Sequence, residues 1–301
     1  MTGREQGFLL LTSWLGDPER KPMTVAQLRT LTKRVQASTI TGEDRQMRPR
    51  DLMVLGYSEA EAGRILHLLS DKELLEYYLY KGRKSGCIPL TRVSSGYPVR
   101  VRLALGLDSP GCIWAKGDVS LLNTPCVALV GSRDLQQENR EFAMEVGRQA
   151  ALQGYTLVSG NARGADSVAQ QACLEAGGNV ISVVADRLES HGEKCHVLYL
   201  AEEGYDIAFS AQRALSRNRV IHALGSKTFV AQSRLVGGTW DGTVRNLHQH
   251  YSSVFCYDDG SRAAKELEQM GATCICAADL KNIAALTAGE MDIFEHTEGT
   301  I

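Results

Sequence analysis

VALVGSR (Val127–Arg133), LVSGNARGAD (Leu157–Asp166) and FVAQSRLVGGT (Phe229–Thr239) decide the fold of this chain. Each begins as an apolar, strand-like run, turns at glycine and leads into a segment with helical character. That alternation is the pattern of an open parallel α/β sheet, where ligands collect outside the carboxyl ends of the strands. Glycine lets the backbone approach a ligand closely, and adjoining helix N-termini offer N–H groups to an anion. A phosphate-bearing ligand is the first expectation.

Working outward, strands are expected near 126–131, 155–159, 179–185, 227–232 and 253–257, with helices near 138–153, 165–177, 211–224, 239–250 and 261–270. Gly131 and Gly160 stand about thirty residues apart, the length of one βαβ unit. ATCICAADLKNIAAL, near the end, suggests a last short strand and helix. Residues 1–85 differ in kind. Leu28–Gln36 and Glu61–Arg83 carry helical spacing, with a turn at Gly56 and a capping-box pattern of Ser58 with Glu61 between them. The expected organisation is a helical module over 1–85, a connector over 86–125 rich in turn signals (SSGYP, DSPG, NTP), and an α/β domain over 126–301.

With 44% hydrophobic and 23% charged residues among 301, the composition is that of an ordinary globular protein. A net charge of -2 excludes a diffusely basic nucleic-acid binder, so any polyanion site must be a local concentration of Arg and Lys. The eight cysteines form no CxxC pair, which argues against zinc and for reduced thiols in a cytoplasmic protein. The apolar runs are too short for a membrane helix, and residues 1–20 lack the features of a signal peptide. No cofactor is indicated.

Gly131, Ser132 and Arg133 suit a phosphate through backbone N–H groups, a hydroxyl and a guanidinium; a tight turn with an exposed arginine is the alternative. Ser159, Gly160, Arg163 and Gly164 form the second turn, with Asp166 read as a cap on the following helix. Gly237, Gly238 and Thr239 open the third. Arg217, Asn218 and Arg219 are expected at a helix N-terminus, where basic residues oppose the dipole. An anion beside them would explain the placement; a solvated basic turn is the other reading. No catalytic triad, P-loop or metal spacing is present, so binding is supported and catalysis is not.

Taken in order, Leu90–Asp118, VGSR, SGNARGAD, SRNRVIHALG, GGTWDGT and the Gly271–Ala272 turn resemble the motif series of the DNA-processing protein A family (DprA, also called Smf). The resemblance implies a Rossmann-like, mainly parallel sheet with helices on both faces, and a small N-terminal module like a sterile-alpha-motif or helix-hairpin-helix domain. It also implies a non-enzymatic homodimer that binds and protects single-stranded DNA at the strand ends and helps load a RecA-type recombinase in transformation or recombination. The first motif and Arg217 with Arg219 match the family's binding residues, and Lys194 stands as a surviving basic residue after the third strand. Gln170 replaces the family's histidine, and no winged helix is expected after residue 290. VFCYDD and residues 261–286 are candidates for the dimer contact. The alternative is a nucleotide-binding or nucleotide-hydrolysing protein of the related lysine-decarboxylase-like family. The glutamate of the related phosphoribohydrolases' loop would fall near Arg245 or Asn246.

Overall fold

A computed structural model describes residues 1–38 and 47–288; the expectation about the chain beyond residue 290 lies outside them. The first half of the described chain contains α1 (Gly3–Thr12), α2 (Val25–Gln36), α3 (Pro49–Val54), α4 (Glu59–Ser70), α5 (Lys72–Lys84), β1 (Cys87–Thr91), α6 (Val99–Leu105), β2 (Cys112–Lys116), β3 (Cys126–Val130) and α7 (Gln137–Leu152). It continues through β4 (Thr156–Ser159), α8 (Ala165–Glu175), β5 (Asn179–Val183), β6 (Val197–Glu202), α9 (Ala211–Ser216), α10 (Asn218–Leu224), β7 (Lys227–Val230), α11 (Gly238–Gln249), β8 (Ser253–Tyr257), α12 (Arg262–Gln269) and β9 (Thr273–Ile275). Two compact units emerge: Met1–Asn123 with Ile181–Val220, and Thr124–Val180 with Ile221–Ile301.

In the first unit, the amphipathic helices α1–α4 close over Leu11, Leu31, Leu52, Ile65 and Leu68. α4 starts where the sequence places it, with Gly56 at φ +82° and a complete Ser58–Glu61 capping box. The helical spacing of 61–83 divides into two helices at Asp71. Arg20 explains the break: its guanidinium donates to the carbonyls of Leu10, Ser13 and Leu68 and pairs with Asp71. The 86–125 segment, expected as a connector, contains two strands. β1 pairs antiparallel with β2, and β2 with β6. Pro89 is tolerated because β1 stands at the end of the strand order. Trp114 is fully buried, edge-on to Tyr78 and Tyr205.

The second unit carries the parallel sheet that the three turns predict, in the order β4-β3-β7-β8-β9 with every one of these pairings parallel. Its strands are continuous apolar runs because a parallel sheet is covered on both faces; all five residues of β3 are buried. The chain leaves β3 toward β4 through α7 and leaves β7 toward β8 through α11. These crossovers run in opposite directions, and right-handed connections therefore set α7 and α11 on opposite faces. The adjacent strands β3 and β7 form the topological switch point, with a crevice outside their carboxyl ends. Val254, Phe255 and Cys256, expected at a dimer contact, are instead buried on β8 between β7 and β9.

Candidate functional site

Three turns interlock at the carboxyl ends of β4, β3 and β7. Thr239 Oγ1 donates to the Gly131 carbonyl at 3.0 Å, tying the third turn to the first. The Ser132 amide donates to the Gln232 carbonyl at 2.9 Å, and the Ser132 carbonyl accepts from the Ala165 amide at 3.1 Å. Side chains have no room at these crossings. A Cβ on Gly131 would lie 2.6 Å from the Ala165 Cβ, and one on Gly164 would lie 2.5 Å from the carbonyl oxygens of Ser132 and Arg133. Gly164 also sits at φ +89°, a backbone that L residues rarely adopt.

The second turn is braced from inside. Asn161 takes left-handed backbone at φ +58°, which asparagine tolerates better than most residues. Asp166 Oδ2 brackets it, accepting from the amides of Gly160 at 3.2 Å and Ala162 at 3.1 Å. Asp166 thus holds the turn as a buried carboxylate, beyond the helix-capping role that its position suggested. Ser159 is fully buried and accepts a 2.6 Å hydrogen bond from Gln170 Nε2, so its hydroxyl belongs to the interior and not to the exposed rim. Gln170, standing where the family resemblance expects histidine, has this packing role.

α8 begins after Gly164 and α11 after Gly237 (φ +100°), and neither has a side-chain cap. The Ala165 and Ser167 amides at the start of α8 already donate to the carbonyls of Ser132 and Ala162, so what these helix starts present to the crevice is the positive ends of their dipoles. Around them stand Arg133 and Arg163, both exposed, with Arg163 3.5 Å from an equally exposed Asp134.

Sequence reasoning missed Arg234, exposed in the third turn four residues past the end of β7, as Arg163 stands past β4. Each of the three turns therefore presents one exposed arginine. Leu235 and Val236 beside it are exposed at 37% and 76%, apolar surface on the rim of a polar site. The signal was the repeated position of arginine after a strand end, hidden because the third turn is longer than the first.

The remaining expected residues belong to the first unit. Lys194 is exposed in the loop before β6. The 211–224 segment breaks at Arg217 into α9 and α10, with Asn218 opening α10. Arg217 is buried, and Arg219 pairs with Glu202 at 2.5 Å while donating to the Asp108 carbonyl at 2.7 Å. Arg213 donates to the carbonyls of Ala185, Ile207, Ala208 and Glu202 and pairs with Glu203. Burial pushes the Glu202 carboxyl upward, while Arg219, Arg213 and Arg217 pull it back. Arg219, one of the basic residues at the start of α10, thus has an internal carboxylate as its partner.

This geometry accompanies a family match. The chain belongs to the DNA recombination-mediator protein A family, whose model matches residues 89–285. It is 25% identical to the DNA processing protein DprA of Bacillus subtilis over 289 residues, 90% of this chain and 88% of that protein. It is 29% identical to Protein Smf of Escherichia coli over 143 residues, 44% and 38% of the two chains. The fold matches the X-ray structure of DNA processing protein A from Streptococcus pneumoniae with a TM-score of 0.73 at 22% identity, covering 95% of this chain and 99% of that one. A structure of DNA processing protein A from Helicobacter pylori, described as a single-stranded DNA binding mode, matches with a TM-score of 0.55 at 22% identity over 65% of this chain and 94% of that one.

Proposed function

We propose that this protein binds single-stranded DNA in the cytoplasm through the crevice at the carboxyl ends of β3, β4 and β7. Arg133, Arg163 and Arg234 contact successive phosphates; Gly131, Ser132, Gly160, Gly164, Gly237, Gly238 and Thr239 supply the close backbone approach. The observation that carries this is one exposed arginine in each of three interlocked turns, beside two helix starts without side-chain caps. The ligand is taken from the Helicobacter protein, and the role in recombination from the family description. Phosphate contacts of this kind bind without sequence readout, and exposed Leu235 and Val236 offer apolar contact to bases.

In the same proposal the protein is a homodimer without catalytic activity that protects single-stranded DNA and delivers it to a RecA-type recombinase. The helical module over 1–85 and the paired strands of the 86–125 segment then serve as accessories to the parallel sheet that carries the crevice. Asn246 supports the absence of hydrolysis. It stands near where the related phosphoribohydrolases need a carboxylate, yet it is fully buried and donates to Ser252 Oγ at 3.0 Å.

The test is the affinity for oligo-dT of increasing length against nucleoside monophosphates, measured over a range of salt. The logarithm of affinity should fall linearly with the logarithm of salt, with a slope of about -0.7 per neutralised phosphate. Alanine at Arg133, Arg163 or Arg234 should weaken all sequences alike and flatten the slope by roughly one contact each. Preferential binding of the monophosphate, or an unchanged slope in the triple variant, would overturn the proposal.

A further inference from the structure

Cys256 and Cys274 are in-register partners on the parallel strands β8 and β9, and their sulfurs stand 3.3 Å apart. Both side chains lie on the face covered by α12, where each sulfur is 3.9 Å from the Ala264 carbonyl oxygen. Neighbouring strands run about 4.7–4.9 Å apart, within the Cα separation of about 4.4–6.8 Å that a disulfide spans. Closing the sulfurs to a bond of about 2.0 Å asks for a small shift of β9, a three-residue strand at the end of the strand order.

The two thiols are unequal. Cys256 is 1% exposed, whereas Cys274 is partly open to solvent. Burial pushes both thiols up. The hydrogen bond between them holds the proton on Cys256 and draws the Cys274 thiol down, against the carboxylates of Glu268 and Asp258. Cys274 is therefore the member that ionises and meets a reagent first.

We propose that Cys256 and Cys274 form a redox modification site that hydrogen peroxide closes to an intrachain disulfide. The Cys274 thiolate attacks the O–O bond and becomes a sulfenic acid, and the proton it gave up turns the leaving hydroxide into water. The Cys256 sulfur then attacks the sulfenic sulfur. The S–O bond breaks, the S–S bond forms, and the departing hydroxide leaves with the Cys256 proton as a second water. Two thiols lose two electrons in all, and the peroxide gains them. A dithiol restores the pair by exchange. The bond ties β9 to β8 and closes a loop that contains α12, which restrains the unfolded chain.

The test treats the full chain, folded and reduced, with hydrogen peroxide, caps the remaining thiols, and maps disulfides by mass spectrometry of the digest. The bond between Cys256 and Cys274 should form in native buffer and disappear with dithiothreitol. Its rate should rise about tenfold from pH 7 to pH 8, following the thiolate fraction. The oxidised chain should unfold at a higher urea midpoint than the reduced one. Cys276→Ser should leave the bond intact, since that exposed thiol takes no part in it. Cys256→Ala should leave the Cys274 sulfenic acid standing, where dimedone traps it; the map of the unaltered chain decides the matter if this variant fails to fold. Bonds from Cys274 to Cys276 or to a second chain in its place, formation only in denaturant, or oxidation of Cys274 to sulfinic acid with Cys256 still free would overturn the proposal.

Discussion

Gly164 passes within 2.5 Å, at its would-be Cβ, of the Ser132 carbonyl oxygen, so the second turn seats directly on the first. The same carbonyl accepts the amide of Ala165, the residue after Gly164. The crevice therefore depends on a backbone contact that only glycine permits.

Gly164→Ala should accordingly destabilise the protein by about 1–3 kcal/mol from backbone strain alone. The clash with two carbonyls adds to this, because backbone cannot move aside as a flexible side chain does. Urea denaturation checks the stability, and oligonucleotide binding should fall with it. Gly177→Ala, at φ +78° with open space around its Cβ, is the control that carries backbone strain without a clash.

Asp166→Ala removes the acceptor shared by the amides of Gly160 and Ala162. Leaving buried donors unpaired costs roughly 1–3 kcal/mol. Hydrogen exchange should accelerate at these two amides more than in β3, since the turn loosens while the sheet remains.

Asp134→Asn should strengthen DNA binding by a factor of about two, because it removes an exposed negative charge beside Arg163. Stability should change by less than about 0.5 kcal/mol, as both side chains lie in water. Unchanged affinity with a normal salt slope would show that Arg163 lies outside the DNA path.

Arg219→Ala and Glu202→Ala should each cost about 3–5 kcal/mol, because either leaves a buried charge unpaired. The double variant should lose less than the sum of the two. Denaturant midpoints across the full cycle measure the coupling.

Burial pushes the thiols of Cys87 and Cys173 up to about 11, whereas Cys195 and Cys276 are exposed. At pH 8 a disulfide-exchange reagent should modify Cys195 and Cys276 rapidly and spare the buried thiols until unfolding. A thiol raised in the folded state keeps its proton while the unfolded thiol loses it above about 8.5. Its contribution to stability is therefore complete below that pH and is lost as pH rises toward 11. Equilibrium unfolding measured from pH 7 to 10 checks this sign.

Much of the second unit was legible beforehand. Val127–Val130, Leu157–Ser159 and Phe229–Val230 are local apolar runs ending at turn residues, and a buried parallel strand is written in adjacent residues. The strands β1, β2 and β6 were not legible. β1 and β2 sit among strong turn signals, and what makes them strands is antiparallel pairing with segments distant in the chain. The break at Asp71 was equally hidden, since it depends on Arg20, about fifty residues earlier.

What the sequence by itself determined is the alternation of strand, glycine turn and helix, and with it a crevice bordered by glycine turns. These follow from periodicity and from backbone freedom at particular glycines, both local properties. Tertiary structure alone decided which arginines face water. Arg133, Arg163 and Arg234 stay exposed, whereas Arg219 finds Glu202 and Ser159 is sealed by Gln170. A charge's role depends on its partner and its burial, and residues far apart in the chain become partners only when the chain folds.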